Sequence, residues 1–327
     1  MSSIEHSAVG AQECLDPQIQ RFVREIGAGF ARFPSFEQLP PAEARRVAEQ
    51  VRAPWRQGGP KMRAVVERDV PARGGALRIR IYDPGPGGVK PGLIYLHGGG
   101  WTLFSIDTHD RVMREYAARA GIAVIGVDYP LSPEAKFPTA LEQIVDLTLW
   151  LGKHAMELGI DADRLAIGGD SAGGNLAVAA CLMLRDRGED KRLQAMLLSY
   201  GAFDAACSSE AARAFGGRGF PLSHDEMRGF WDNYLRTSED MRNPLACPLR
   251  ADLEGLPPAF FTIPECDILT EQNLSMAESL RNAGVPVRQQ IYQGASHSFL
   301  EAVSISEVAD RALADGSRWL REILTDR

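Results

Sequence analysis

Cysteine, positive charge and long apolar runs are all in short supply in this chain, and each shortage closes off a class of protein. The five cysteines, Cys14, Cys181, Cys207, Cys247 and Cys266, are an odd number scattered over 327 residues with no CxxC pair. Such spacing suggests neither a disulfide framework nor a structural zinc site. Lysine and arginine number 36 against 43 acidic residues, a formal net charge of −7. Phosphate backbones bind to concentrated positive surface, so no nucleic-acid partner is expected. No run of 18 apolar residues occurs, so no membrane span is expected. Residues 1–20 are polar and acidic, without the basic and apolar regions of a signal peptide, which makes the reducing cytoplasm the expected home. Internal repeats and low-complexity tracts are missing too. The remaining composition, 45% apolar and 24% charged, is that of a globular protein rather than a disordered one. At this length it supports a large core, in one big α/β domain or two ordinary ones.

The texture of the chain changes near residue 60. Before it, Ile19, Phe22, Val23, Ile26 and Phe30 recur at helical spacing. Pro34, Pro40 and Pro41 then interrupt, and Pro41 suits the first turn of a second helix. Residues 1–60 therefore read as a helical appendage. Beyond it, Leu77, Ile79 and Ile81 alternate with Arg78, Arg80 and Tyr82, as in a half-exposed strand. Short apolar runs follow at residues 93–96, 122–127, 165–167, 196–198, 259–263 and 287–292. Most are separated by helix-like stretches at 110–120, 139–158, 172–187 and 271–283, and a closing helix is read at 306–324. This alternation predicts an α/β fold with a mostly parallel central sheet flanked by helices. Residues 205–245 break the rhythm. They hold no convincing strand but carry Phe215, Phe220, Met227, Phe230, Trp231 and Tyr234. An insertion of this kind usually lies over the strand C-terminal ends, where α/β sheets bind ligands.

Two glycine-rich motifs carry chemistry. Gly169-Asp170-Ser171-Ala172-Gly173 is a GxSxG pattern, for which composition alone gives about 0.2 chance matches. Its setting adds weight, because a strand-like segment precedes it and a helix-like one follows, the context of a nucleophile elbow. A plain glycine-rich turn with an exposed serine is the competing account. His97-Gly98-Gly99-Gly100-Trp101 follows the apolar run 93–96, and about 0.006 chance matches are expected for it. Bare glycines let backbone N–H groups approach a substrate oxygen, as an oxyanion hole requires. A phosphate cradle fits less well, since neither Lys-Ser/Thr nor GxGxxG is present, and a tight turn is the bland alternative. His97 reads as a structural hydrogen bonder at a strand end.

These motifs, in this order and 74 residues apart, resemble the hormone-sensitive-lipase-like family of α/β-hydrolases. A third stretch, from Asp128-Tyr129-Pro130-Leu131-Ser132-Pro133-Glu134 to Phe137-Pro138, is similar to the family's D-Y-R-L-A-P-E followed by F-P. Pro130 and Ser132 depart from that pattern, with an expected effect on the pocket floor. The resemblance covers roughly residues 60–300 and implies an α/β-hydrolase fold with a helical cap. The cap would be built from residues 1–60 and an insertion at about 205–245 in a catalytic domain 61–327. It also implies a serine carboxylesterase for short- to medium-chain esters, with Ser171 as nucleophile. In this fold the acid and then the histidine follow the serine along the chain. His224 stands beside Asp225 and Glu226 in a solvated pattern, whereas His297 lies in a G-x-x-H-x-F segment similar to the family's. For the acid, Asp252 and Glu254 precede the strand at 259–263 and are expected at its other end. Glu271 opens a helix. Between Glu265 and Asp267, the family-like Leu269 favours Asp267.

Ala172, directly after the serine, is the oxyanion donor that an elbow requires. Gly99 and Gly100 are assigned as further donors by the resemblance. The expected partner is a small-molecule ester, with no cofactor, no metal and no membrane span, and a homodimer is left open. An amidase, a lactonase or a carbamate hydrolase would use the same groups. A non-catalytic small-molecule receptor on this fold would typically lack one of Ser171, Asp267 and His297.

Overall fold

A computed structural model describes residues 14–217 and 219–325. Most of the stretch 1–20 read as free of a signal peptide, and the beginning of the helical segment 1–60, fall on residues 1–13, which lie outside the described ones. Asp16 caps helix α1 (Pro17–Phe30), its side chain accepting the N–H groups of Gln18 and Ile19. This helix buries Ile19, Phe22, Val23 and Ile26, the apolar stripe seen in the sequence. Helix α2 (Pro41–Arg52) starts on a proline, which loses nothing where the N–H has no intrahelical acceptor. It buries Ala44, Val47, Ala48 and Val51 and, unusually, Arg52.

An eight-stranded sheet follows. Strands β1 (Ala64–Ala72) and β2 (Gly75–Asp83) form an antiparallel hairpin. Strand β1 was not foreseen. It is an edge strand with only Val70 buried, so no apolar alternation marks it. The chain continues through β3 (Lys90–Leu96), α3 (Asp110–Ala120), β4 (Ala123–Val127), α4 (Thr139–His154), β5 (Ile160–Asp170), α5 (Ala172–Asp186) and β6 (Ala195–Ser199). After an insertion come β7 (Ala259–Cys266), α8 (Thr270–Asn282), β8 (Val287–Ser296) and α9 (Glu307–Thr325). The strand order is β1-β2-β4-β3-β5-β6-β7-β8, antiparallel at β1, β2 and β4 and parallel from β4 onward.

Because successive strand residues face opposite sides, each strand feeds two cores. Ile94 and Leu96 join Leu141, Ile144, Leu176 and Met276 under α4, α5 and α8. Leu93 and Tyr95 join Met113, Tyr116, Leu313 and Leu320 under α3 and α9. The insertion between β6 and β7 contains α6 (Ser209–Phe215) and α7 (His224–Tyr234) and no strand among its described residues. Helix α7 opens with a capping box between Ser223 and Glu226. Trp231 and Tyr234 on it pack on Trp101, with ring centroids 4.5 and 4.2 Å away. Arg45 on α2 donates to the carbonyls of Thr102 (2.9 Å) and Ser132 (2.8 Å). The N–H of Asp16 bonds the Gly294 carbonyl near the end of β8 at 3.0 Å. Both appended segments are therefore fastened at the C-terminal end of the sheet.

Candidate active site

Ser171 occupies the single residue between β5 and α5 and takes φ 52° and ψ −118°. A positive φ costs a side chain energy, and the surroundings enforce it. Strand β3 passes so close that a Cβ on Gly173 would strike the Leu96 carbonyl and lie 2.9 Å from that of His97. The flanking glycines of the motif are thus a packing requirement of the turn. The same turn sets the serine at the N-terminus of α5, whose first N–H groups have no intrahelical acceptor.

His297 and Asp267 arrive from the two neighbouring parallel strands. Asp267 follows β7 directly and His297 follows β8. The Ser171 Oγ lies 3.0 Å from His297 Nε2, and His297 Nδ1 lies 2.7 Å from Asp267 Oδ2. Asp267 Oδ1 accepts the Leu269 N–H at 3.0 Å, which fixes the carboxylate plane. All three side chains are buried. The other carboxylates lie elsewhere. Glu265 accepts the Gly294 N–H at 2.9 Å, across to the β8 chain. Glu271 stands in the first turn of α8. The carbonyls of Asp252 and Glu254 are held by Arg185, near the far end of α5. His224 is the first residue of α7, half exposed, and is not among the described residues lining the cavity around Ser171.

The glycine loop is oriented by its carbonyls. His97 Nδ1 donates to the Gly98 carbonyl at 2.7 Å. The Gly99 carbonyl accepts from Thr102 (3.0 Å) and Leu103 (2.8 Å). In a trans peptide the N–H points opposite to the C=O. Tying back these two carbonyls turns the N–H groups of Gly99 and Gly100 the other way. Gly99, Gly100 and Ala172 line one cavity together with Ser171 and His297. Among the described residues their N–H groups have no acceptor. Gly99 needs to be glycine, because its φ is +115° and a Cβ would strike the Leu103 carbonyl.

Sequence reasoning missed the group beneath this loop. Asp170, inside the serine motif, is fully buried and accepts from Tyr95 Oη (2.9 Å) and the Gly98 N–H (3.1 Å). His109 Nε2 stands 3.3 Å from its other oxygen. Burial opposes the Asp170 charge, but His109 and Tyr95 hold its pKa below the ordinary carboxylate value. Burial likewise opposes a charge on His109, and the Asp170 carboxylate overcomes it and raises that pKa. His97, stacked on Tyr129 at 4.4 Å, is pushed down to about 3 by burial and then by His109. It is a neutral structural donor, as its position at the strand end suggested. No local pattern announces the Asp170 group, since Tyr95 is one of several strand residues and His109 merely precedes a helix.

The cavity has a volume of about 240 Å³ and is walled mainly by α1, α7 and the loop 99–104. Trp101 lines it and also anchors the insertion, while Phe220, Met227 and Phe230 of the insertion form the facing wall. A second cavity of about 300 Å³ shares Phe36, Leu103, Glu226 and Phe230 with it. Pro130 and Ser132 are not among the described lining residues, so their expected effect on the pocket floor is not direct. Ser132 instead donates its N–H to the Trp101 carbonyl at 2.8 Å. Cys266 is buried in the sheet core. No cluster of His, Cys, Asp and Glu among the described residues is arranged to hold a metal ion. No described helix is long and apolar enough to cross a membrane.

Residues 93–301 match the family described as alpha/beta hydrolase fold. An acetyl esterase of Salmonella choleraesuis is 37% identical over 252 residues, 76% of this chain and 77% of that protein. Among solved structures, a hyperthermophilic esterase from the archaeon Pyrobaculum calidifontis superposes with a TM-score of 0.88 at 31% identity, covering 94% of this chain and 98% of that one. A thermostable esterase from Pseudomonas putida gives 0.89 at 31% identity, over 95% and 98% of the two chains. A thermophilic carboxylesterase cloned from a metagenomic library gives 0.84 at 32% identity, over 88% and 98%.

Proposed function

The chain belongs to the hormone-sensitive-lipase-like family of α/β-hydrolases and is a carboxylic ester hydrolase, and on that footing we propose that Ser171, His297 and Asp267 carry its chemistry through an acyl-enzyme. The observation that carries this reading is the unbroken buried line from Ser171 Oγ through His297 to Asp267, at 3.0 and 2.7 Å.

Ser171 Oγ attacks the ester carbonyl as His297 Nε2 takes its proton. Asp267 keeps the other ring hydrogen on Nδ1 and stabilises the imidazolium that forms. The N–H groups of Gly99, Gly100 and Ala172 receive the developing oxyanion, already aimed and needing no reorganisation. The imidazolium then protonates the departing alcohol. Water, deprotonated by the same histidine, releases the acid and restores the serine. Each step moves one proton between groups within hydrogen-bonding reach, which is what general base catalysis demands.

The substrates are short- to medium-chain acyl esters, roughly C2–C8. The small, aromatic-walled cavity supports that range, and so does the acetyl ester named for the Salmonella relative. Residues 1–60 and the insertion at about 205–245 act as a cap controlling access to the hydrolase domain 61–327. The test is a rate panel of p-nitrophenyl esters from acetate to palmitate on the wild type and Ser171→Ala. The wild type should peak at short to medium chains. The variant should stay folded and lose on the order of 10⁴–10⁶ in kcat. Normal turnover by folded Ser171→Ala would overturn the assignment.

A further inference from the structure

The cavity wall holds one group that the hydrolytic chemistry does not use. Arg52, the last residue of α2, is 3% exposed and lines the cavity that contains Ser171 and His297. Arginine is rarely buried without partners that satisfy its donors. Here the partner is Glu301, 4% exposed, in the short helical turn just beyond His297, with Nη1 2.8 Å from Oε1. The pairing balances charge without completing hydrogen bonds. Arg52 Nε and Nη1 and both oxygens of Glu301 are buried with no partner in hydrogen-bonding geometry. Aromatic rings hold the guanidinium in place, Phe104 at 4.8 Å and Phe22 at 5.8 Å from its carbon. It is the one cation among the described residues of that wall, where most neighbours are apolar.

Nε and Nη1 are sealed off beside Glu301, which leaves Nη2 as the guanidinium donor able to meet an acceptor from the cavity. We propose that Arg52 is a specificity-determining residue, which binds an uncharged acceptor oxygen, a ketone or second ester carbonyl, carried by the substrate away from the scissile bond. The inference rests on the hydrolytic reading above and narrows its substrates from plain alkyl esters to oxo-substituted ones. A carboxylate is a poorer fit. Glu301 already neutralises Arg52, so an incoming anion would meet a second negative charge at short range in a medium that screens it little. A neutral carbonyl takes the hydrogen bond without that repulsion. The apolar walls accommodate the carbon skeleton that links this carbonyl to the reacting ester.

The experiment compares kcat/KM within two matched series. One series is p-nitrophenyl hexanoate against its oxo-hexanoates, with the ketone moved along the acyl chain. The other is hexyl acetate against oxo-hexyl acetates. The best-placed ketone should raise kcat/KM in the wild type on the order of tenfold, the worth of a hydrogen bond from a charged donor. The paired variant Arg52→Met with Glu301→Gln leaves no lone buried charge, and its oxo-to-plain ratio should fall to about one. Glu301→Gln alone keeps the guanidinium and should keep the preference. A wild-type ratio near one in both series overturns the role of Arg52, even though the plain esters turn over. So does a preference that survives in the paired variant, or an equal kcat loss on oxo and plain esters, which marks a structural role. If the wild type hydrolyses neither the plain nor the oxo esters, the hydrolytic reading itself fails, and this inference with it.

Discussion

Replacing Asp267 by asparagine tests the proposed acid, because the structure fixes how the new amide would sit. Asp267 Oδ1 accepts the Leu269 N–H at 3.0 Å, and Oδ2 faces His297 Nδ1 at 2.7 Å. An asparagine there keeps its oxygen on the Leu269 N–H, since its NH₂ cannot accept. The NH₂ then faces Nδ1, which must offer a lone pair in return. The ring hydrogen moves to Nε2, the nitrogen 3.0 Å from Ser171 Oγ. The base is then turned against the proton it has to take, and the negative charge that steadies the imidazolium is gone. Such an exchange costs about 10⁴ in kcat, or about 5 kcal/mol. Glu265→Gln is the control two residues away. Its carboxylate accepts the Gly294 N–H at 2.9 Å and faces the amide of Gln293, with no hydrogen bond to His297 among the described residues. A glutamine oxygen still accepts from Gly294, so activity should remain within roughly tenfold of the wild type. Both variants are assayed on p-nitrophenyl acetate after circular dichroism has shown them folded. A folded, active Asp267→Asn beside an inactive Glu265→Gln would move the acid to Glu265 and refute the argument.

Two further outcomes follow from the surroundings of the site. His97, pushed down to about 3 by burial and by His109, refuses a proton that the unfolded chain accepts near pH 6.5. The stability tied to neutral His97 is therefore complete above pH 6.5 and is lost as pH falls toward 3. Between pH 6.5 and 5 this amounts to about 2 kcal/mol, while His109, raised by Asp170, pulls the opposite way in both proteins. His97→Asn should flatten the fall of Tm on acidification over that window, and an unchanged slope contradicts the buried neutral ring. Phe230 packs over Gly100, where a Cβ would lie 2.5 Å from ring carbons, and it lines both cavities of about 240 and 300 Å³. Phe230→Ala should join them and raise the octanoate-to-acetate rate ratio on the order of tenfold, the worth of about two more buried methylenes. An unchanged chain-length profile would show that the second cavity takes no part of the substrate.

What the amino-acid order determined by itself is what backbone geometry imposes locally. Alternation in β2, short apolar runs in the later strands, several of them buried on both faces, and helix-like stretches between them announced every strand after β1 and the main helices of the sheet, because burial dictates residue type locally. The serine turn and the glycine loop were legible for a related reason. A positive φ at Gly99, or β3 passing against Gly173, excludes a Cβ and so leaves glycine in the sequence. Strand β1 left no such trace, since a hairpin edge with one buried residue is defined by its pairing with β2 rather than by its own pattern. Asp267 and His297 could be chosen from chain order and resemblance, but their approach to within 2.7 Å depends on β7 and β8 being parallel neighbours. Tertiary structure alone joined Asp170 to Tyr95 and His109, and Arg52 of an N-terminal helix to Glu301 near the other end of the chain. Such contacts carry no local signature. A buried charge is compatible with any sequence around it, provided that the fold brings its partner from elsewhere.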